Sequence, residues 1–339
     1  MLKYVAKRIL MVIPVMIGVS IIVFSLMRVF SPDPAPIVLG QHATQEKMDA
    51  WRDDNELNDP VLKQYFTYVK DALQGDLGTS YYTNTPVAAE IGARFPATIE
   101  LALAAILFAS TVGVFLGVLA AVKKNSVYDA GSTLFALVGV SIPIFWLGIM
   151  FIMFFSGFLH LLPSGGRINV LLEPTDVTGF YVIDSILEQN WAALKDALWH
   201  IILPALTLGM YSMAIITRMT RSTMLDTLGQ DYVRTARAKG ITERKVIGKH
   251  ALRNSMIPVI TVIGLQFGAL LGGALLTESV FSWPGIGKYT VDSIMKSDFP
   301  VVQGIVLLVA VVFVTVNLVA DLMYAYLDPR IKYSAKKDV

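Results

Sequence analysis

The chain has 339 residues, 55% of them hydrophobic and 16% charged, with a net charge of +2. A soluble domain carries about 45–50% apolar and about 25% charged residues, so this composition points to a protein that crosses a membrane several times and gives no reason to expect a nucleic-acid partner. There is no cysteine and only four scattered histidines (His42, His160, His200, His250), which excludes disulfides, thiolate metal sites and iron–sulfur ligation and leaves no expectation of a histidine metal site.

Residues 9–30 form the first apolar run, behind Lys3, Lys7 and Arg8. About 20 residues at 1.5 Å each cross a hydrocarbon core of about 30 Å. A signal peptide would have an apolar core of only about 7–15 residues and a small-x-small cleavage site. The run is longer and SPDPAP offers no such site, so a retained anchor with its amino end inside is expected. Residues 31–96 are rich in acids. Within them 44–73 has helical character, with Val61, Leu62, Tyr65, Phe66, Val69 and Leu73 at three- and four-residue spacing, and GDLGTS reads as a turn. An ordered extracytoplasmic subdomain is expected there rather than a linker.

Further spans are expected at 99–122, 131–155 (interrupted by Pro143), 201–217, 257–277 and 301–327. Lys123 and Lys124 in a short loop, the basic run 218–253, and Arg330, Lys332, Lys336 and Lys337 in the tail all fall on one side. The positive-inside rule then puts both termini in the cytoplasm. The sequence therefore predicts an all-α membrane protein with six transmembrane helices.

Gly264, Gly268 and Gly272 recur every four residues in the fifth span, and Gly113 and Gly117 do so in the second. Small residues on one face let helix backbones approach closely, so these are candidate helix-packing positions. Ionisable groups within spans are few: Arg28 and Arg218 near ends, Glu100 at the start of the second span, and Asp321 one turn after Asn317. For the last pair an interhelical hydrogen bond is expected rather than a relay, and no internal energy source stands out. PGIGKYT (284–290) superficially resembles a phosphate-binding loop. However, Ser282 stands where its first glycine belongs, Tyr289 follows the lysine, and the topology puts it outside. No nucleotide site and no catalytic group is expected.

The basic run holds Arg218, Arg221, Arg234, Arg237, Lys239, Arg244, Lys245, Lys249 and Arg253 against Asp226, Asp231 and Glu243. At its centre is DYVRTARAKG: Asp231, Tyr232, Val233, Arg234, Thr235, Ala236, Arg237, Ala238, Lys239 and Gly240. Tyr232, Val233 and Ala236 share one helical face and Arg234 and Arg237 another. Gly240 breaks the helix, and a second basic helix is expected over about 242–254. Such a pair could be gripped by another protein or lie against anionic headgroups, and composition does not separate the two.

DYVRTARAKG followed by HALRNSMIPV resembles the cytoplasmic coupling loop of ABC importer permeases in its peptide-transporter version. Thr235, Ala236 and Arg237 stand at the places of the general Glu-Ala-Ala signature and Gly240 at its glycine, while Pro258 lies farther downstream than that signature has its proline. KRILMVIPVMIG, GDLGTS, VGVSIPIFWLG, RMTRSTMLD, TESVFSWPGIGKY and DLMYAYLDPRIKY extend the likeness along the whole chain. Together they resemble the first of the two permeases of bacterial dipeptide and oligopeptide importers. The related permeases for nickel and glutathione share most of these motifs.

The resemblance implies the type I permease fold, divided into an N-terminal tip and first span (1–30), a periplasmic subdomain (31–96), a permease core (97–328) with its coupling loop at 218–256, and a cytoplasmic tail (329–339). It implies a second homologous permease, two cytoplasmic ATPases that use ATP and Mg, and a periplasmic peptide-binding protein as partners. On this reading the chain binds no cofactor of its own. The rival reading from the residues alone is an ion-coupled carrier or channel.

Overall fold

The computed structural model describes residues 2–30, 33–40 and 42–327. After α1 (Leu2–Phe30) come three short helices, α2 (Pro34–Leu39), α3 (Gln45–Asp54) and α4 (Val61–Leu73), then the long α5 (Val87–Val122). Next are α6 (Val127–Ser141), α7 (Ile144–Phe151) continued by a π-helical turn Ile152–Phe158, α8 (Tyr181–Leu187) and the 38-residue α9 (Trp191–Leu228). The chain then forms α10 (Asp231–Ala238) and α11 (Glu243–Lys245), which passes through a π-helical segment Val246–Leu252 into α12 (Arg253–Gly273). It ends with α13 (Leu275–Val280), α14 (Ile286–Met295) and α15 (Phe299–Leu327).

Side chains cap several of these helices in the expected way: Asp33 accepts from Ala35 N, Thr44 from Lys47 N, Ser126 from Asp129 N and Asn190 from Ala193 N. Among the described residues, five helices are long and apolar enough to cross a membrane, and α6 with the α7 segment makes a sixth span if the two are taken together. That span is bent by 105° at the expected Pro143. The residue before a proline is driven out of the α region, and Ile142 is extended at φ −85°, ψ 129°.

Other boundaries differ from the sequence expectation. The second span begins not at residue 99 but at Val87, and its helix runs straight through Pro96. Contacts with two outer loops hold that turn: Gly179 lies against the Pro96 ring, and Trp283 Nε1 donates to Ala97 O at 2.8 Å. The fourth helix overshoots 201–217 at both ends, so Arg218 and Arg221 belong to α9 rather than to a loop. The second basic helix is the start of α12's own run, and the fifth span ends at Gly273, before a break at Ala274.

The core is built on α5 and α9, the most extensive helix pair. Glycines bring the two backbones together: a Cβ on Gly117 would lie 2.7 Å from Thr217 O, one on Gly113 2.9 Å from Met213 O, and one on Gly209 2.7 Å from Ala105 O. α12 packs on α9 and α15, α6 on α9, and α1 on α15. The apolar residues Leu10, Ile13, Ile17, Ile22 and Leu26 of α1 remain exposed, as a lipid-facing surface requires.

Candidate functional site

α10 sits at the end of the bundle where α5 and α9 finish and α12 begins. Its sequence explains its seating. Val233 and Ala236, three residues apart, are buried and pack with Val246, Leu228 and Ile241. Asp231, Tyr232, Arg234, Thr235, Arg237, Ala238, Lys239 and Gly240 are exposed. The expected inward face thus holds for Val233 and Ala236, whereas Tyr232 lies at the rim. Its hydroxyl accepts from Asn254 Nδ2 at 2.9 Å and donates to His250 O at 3.3 Å.

The helix ends in a double hydrogen-bonded glycine turn. Gly240 N–H donates to Arg237 O at 2.9 Å and Ile241 N–H to Ala236 O at 3.3 Å, with Gly240 at φ +75° and Ile241 packed back on Ala236. This is the Schellman arrangement, which needs a residue at ease in the left-handed region. Arg237 then pairs with Glu243 at 2.7 Å across the turn. Arg234 stays exposed, 3.4 Å from Asp231.

The turn is tied to the bundle below it. Ala121 of α5, Met224 of α9 and Ala251 of the π-helical segment share a buried cluster, and Ser255 Oγ lies 3.0 Å from Met224 Sδ. Arg221 of α9 holds Asp129 of α6 through Nε at 2.6 Å and a terminal nitrogen at 2.9 Å. α10 itself meets Leu228 of α9, Val246 and His250 of the π-helical segment and Asn254 of α12, and these elements in turn pack on α5 and, through Arg221, on α6.

The opposite end of α5 gathers the two long loops over residues 96–100. Thr98 Oγ1 donates to Glu278 Oε1 at 2.7 Å and accepts from Ile286 N at 2.9 Å. Glu100 accepts from Arg167 Nε at 2.9 Å and from Val182 N at 2.9 Å, both charges being nearly buried. Glu278 in turn takes the backbone N–H of Lys288 at 2.9 Å and that of Gly287 at the start of α14. The stretch PGIGKYT thus turns the backbone N–H groups of Gly287 and Lys288 onto the chain's own Glu278 side chain. The sequence marks Glu100 at the start of the second span and PGIGKYT outside the membrane, and it indicates a partner for neither.

Gly264, Gly268 and Gly272 all face α15. An added Cβ would lie 3.1 Å from Ala320 Cβ, 3.3 Å from Val316 Cγ1 and 3.4 Å from Val309 Cγ1 respectively. Asn317 Oδ1 is buried without a hydrogen-bond partner among the described residues, and the side chain of Asp321 lies outside them, as do residues 328–339 with the basic tail.

Comparison with known proteins gives this geometry a context. Residues 113–333 match the binding-protein-dependent transport system inner membrane component, and residues 1–102 match the N-terminal membrane component of such systems. The chain is 47% identical over 333 residues to the dipeptide transport system permease protein of Alkalihalophilus pseudofirmus, covering 98% of this chain and 100% of that one. It is 46% identical over 334 residues to the di/tripeptide transport system permease protein of Pseudomonas aeruginosa, with 98% and 99% covered. To a glutathione transport system permease protein of Escherichia coli it is 40% identical over 333 residues, with 98% and 100% covered. A chain of helical spans matched by both family models along nearly its whole length belongs to the binding-protein-dependent transport system inner membrane components, and it is a multi-pass ABC-type permease of the inner membrane.

Proposed function

We propose that this chain is the first of two homologous permeases in an ABC importer that carries dipeptides and other short peptides into the cytoplasm. The full-length likeness to permeases named for dipeptides and for di- and tripeptides supports the substrate class. The observation that carries the mechanism is α10: a short, exposed, basic helix anchored by Val233 and Ala236 to the ends of the spans.

In this reading α10 seats in a groove on a cytoplasmic ATPase. Tyr232, Arg234, Thr235, Arg237, Ala238 and Lys239 meet the partner, while Val233 and Ala236 hold the helix to its own chain. Two such ATPases, using ATP and Mg, close on each other and carry the coupling helices with them. α9 runs unbroken for 38 residues, about 57 Å at 1.5 Å per residue, from the outer loops to α10. A continuous helix of that length, with Pro204 in its outer half, links a displacement of α10 to the outer loops. Residues 31–96 and 158–200 form the outer surface on which a periplasmic binding protein releases its peptide.

Gly240 offers a clean test. No atom lies within 4 Å of where its Cβ would be, so a larger residue meets no steric clash within the chain. The left-handed backbone is then the strained term, costing about 1–2 kcal/mol. Gly240→Val is expected to insert normally and to abolish ATP-dependent dipeptide uptake, because the turn that orients α10 opens. Full uptake by a correctly inserted variant would exclude α10 as the coupling element.

A further inference from the structure

Helix α4 has two dissimilar sides. Gln64 and Asp71 line a cavity with Phe24, Arg28 and Phe299. On the opposite side Leu62, Phe66 and Leu73 are 73%, 68% and 84% exposed and fall on one stripe of the helix. Lys63, paired with Asp59 at 2.8 Å, and Lys70 border one edge of that stripe and are exposed.

Contacts with α1 fix where the stripe points. Tyr65, which borders the stripe, reaches inward along α1: its hydroxyl is 2.9 Å from Ser20 Oγ, and its ring centroid is 5.4 Å from that of Phe24. The apolar window of α1 ends at Arg28, and Ser20 lies about 12 Å inside that end at 1.5 Å per residue. Gln64, on the other side of α4, instead lies at the level of Arg28, since its Nε2 and the Arg28 guanidinium both donate to Leu57 O. α4 therefore lies across the outer end of the first span, with its apolar stripe turned toward the hydrocarbon. Ile17 and Ile21, which adjoin Ser20 on α1, are themselves exposed and apolar, so the stripe continues an apolar face of the first span.

We propose that α4 is an interfacial helix seated in the outer leaflet, with Leu62, Phe66 and Leu73 among the acyl chains and Lys63 and Lys70 at the headgroup phosphates. Such a helix buries its apolar side about 5–10 Å into the headgroup–acyl boundary while lysines keep their charges in water. The segment between the first two spans is then pinned to the membrane surface, which fixes the height of the loops above the bundle.

The chain has no cysteine, so single labels report depth without background from it. Phe66→Cys, Leu73→Cys and Lys70→Cys are each labelled with bimane in the assembled transporter, with partner cysteines blocked beforehand, and placed in nanodiscs. With phosphatidylcholine brominated on its acyl chains, the labels at 66 and 73 are expected to lose fluorescence and to emit further to the blue than the label at 70. Aqueous iodide should quench only the label at 70. Iodide quenching at 66 and 73 with no effect of brominated lipid overturns the proposal in favour of a bare periplasmic face. Shielding of both positions from both quenchers overturns it in favour of a protein partner covering α4.

Discussion

Glu278 shows how one side chain holds the outer end together. It lies beyond the fifth span, fully buried, with the Thr98 hydroxyl and the backbone N–H groups of Gly287 and Lys288 directed at its carboxylate. Gly287 has no room for a Cβ, which would sit 2.8 Å from Leu275 Cα and 2.9 Å from Glu278 Oε2. Glu278→Ala would leave these donors without an acceptor in a closed site. The expected loss is about 2–4 kcal/mol, read as a lower thermal midpoint of the purified protein.

Burial pushes the Glu278 carboxyl up to about 7 from an ordinary value of 4.5, with the three donors pulling the other way. The sign follows from linkage. Below the unfolded value the group is protonated in both states and folding carries no ionisation penalty; as pH rises through the folded value, the buried group must ionise and that stability is lost. The thermal midpoint should therefore be higher at about pH 5 than at about pH 8, and Glu278→Gln should flatten part of that slope. Identical slopes in the two proteins would contradict the assignment. None of this was legible at the residue scale: Thr98 and Glu278 are 180 positions apart, as Glu100 and Arg167 are 67 apart, and no periodicity joins them.

At the scale of elements, hydropathy located the spans because acyl chains demand about 20 apolar residues. It misplaced their ends because nothing in a bilayer stops a helix at the surface: α9 continues through Arg218 and Arg221 to Leu228 because Asp129 and the α10 turn pack there. Proline was equally ambiguous. Pro143 makes a 105° bend, whereas Pro96, Pro204 and Pro258 lie inside helices, and tertiary contacts decide between these outcomes.

The glycine spacing was more informative, since four-residue repeats place Gly264, Gly268 and Gly272 on one side, and that side faces α15. The contacts rank the glycines. Gly117→Ala puts a Cβ 2.7 Å from a backbone oxygen and is expected to cost about 1–3 kcal/mol. Gly272→Ala meets only Val309 Cγ1 at 3.4 Å, an ordinary contact, and should leave the thermal midpoint nearly unchanged. Equal losses from both substitutions would show that the α5–α9 seam is looser than its geometry implies.

On the scale of the whole molecule, the chain has two organised ends joined by unbroken helices. One end presents α10 on a base shared by α5, α9 and α12; the other gathers two loops onto residues 96–100 of α5. The sequence made the α10 end visible through its surplus of arginine and lysine and its glycine-ended motif. The other end was hidden because it is assembled from segments far apart in the chain.

The most direct test is uptake of labelled dipeptide into proteoliposomes that contain this permease with the second permease and two ATPases proposed for it, and a binding protein outside. Uptake that requires ATP hydrolysis inside the vesicles and the binding protein outside, and that ceases with Gly240→Val, is the predicted result. Uptake that follows an imposed ion gradient and proceeds without ATP would contradict it and identify an ion-coupled carrier instead.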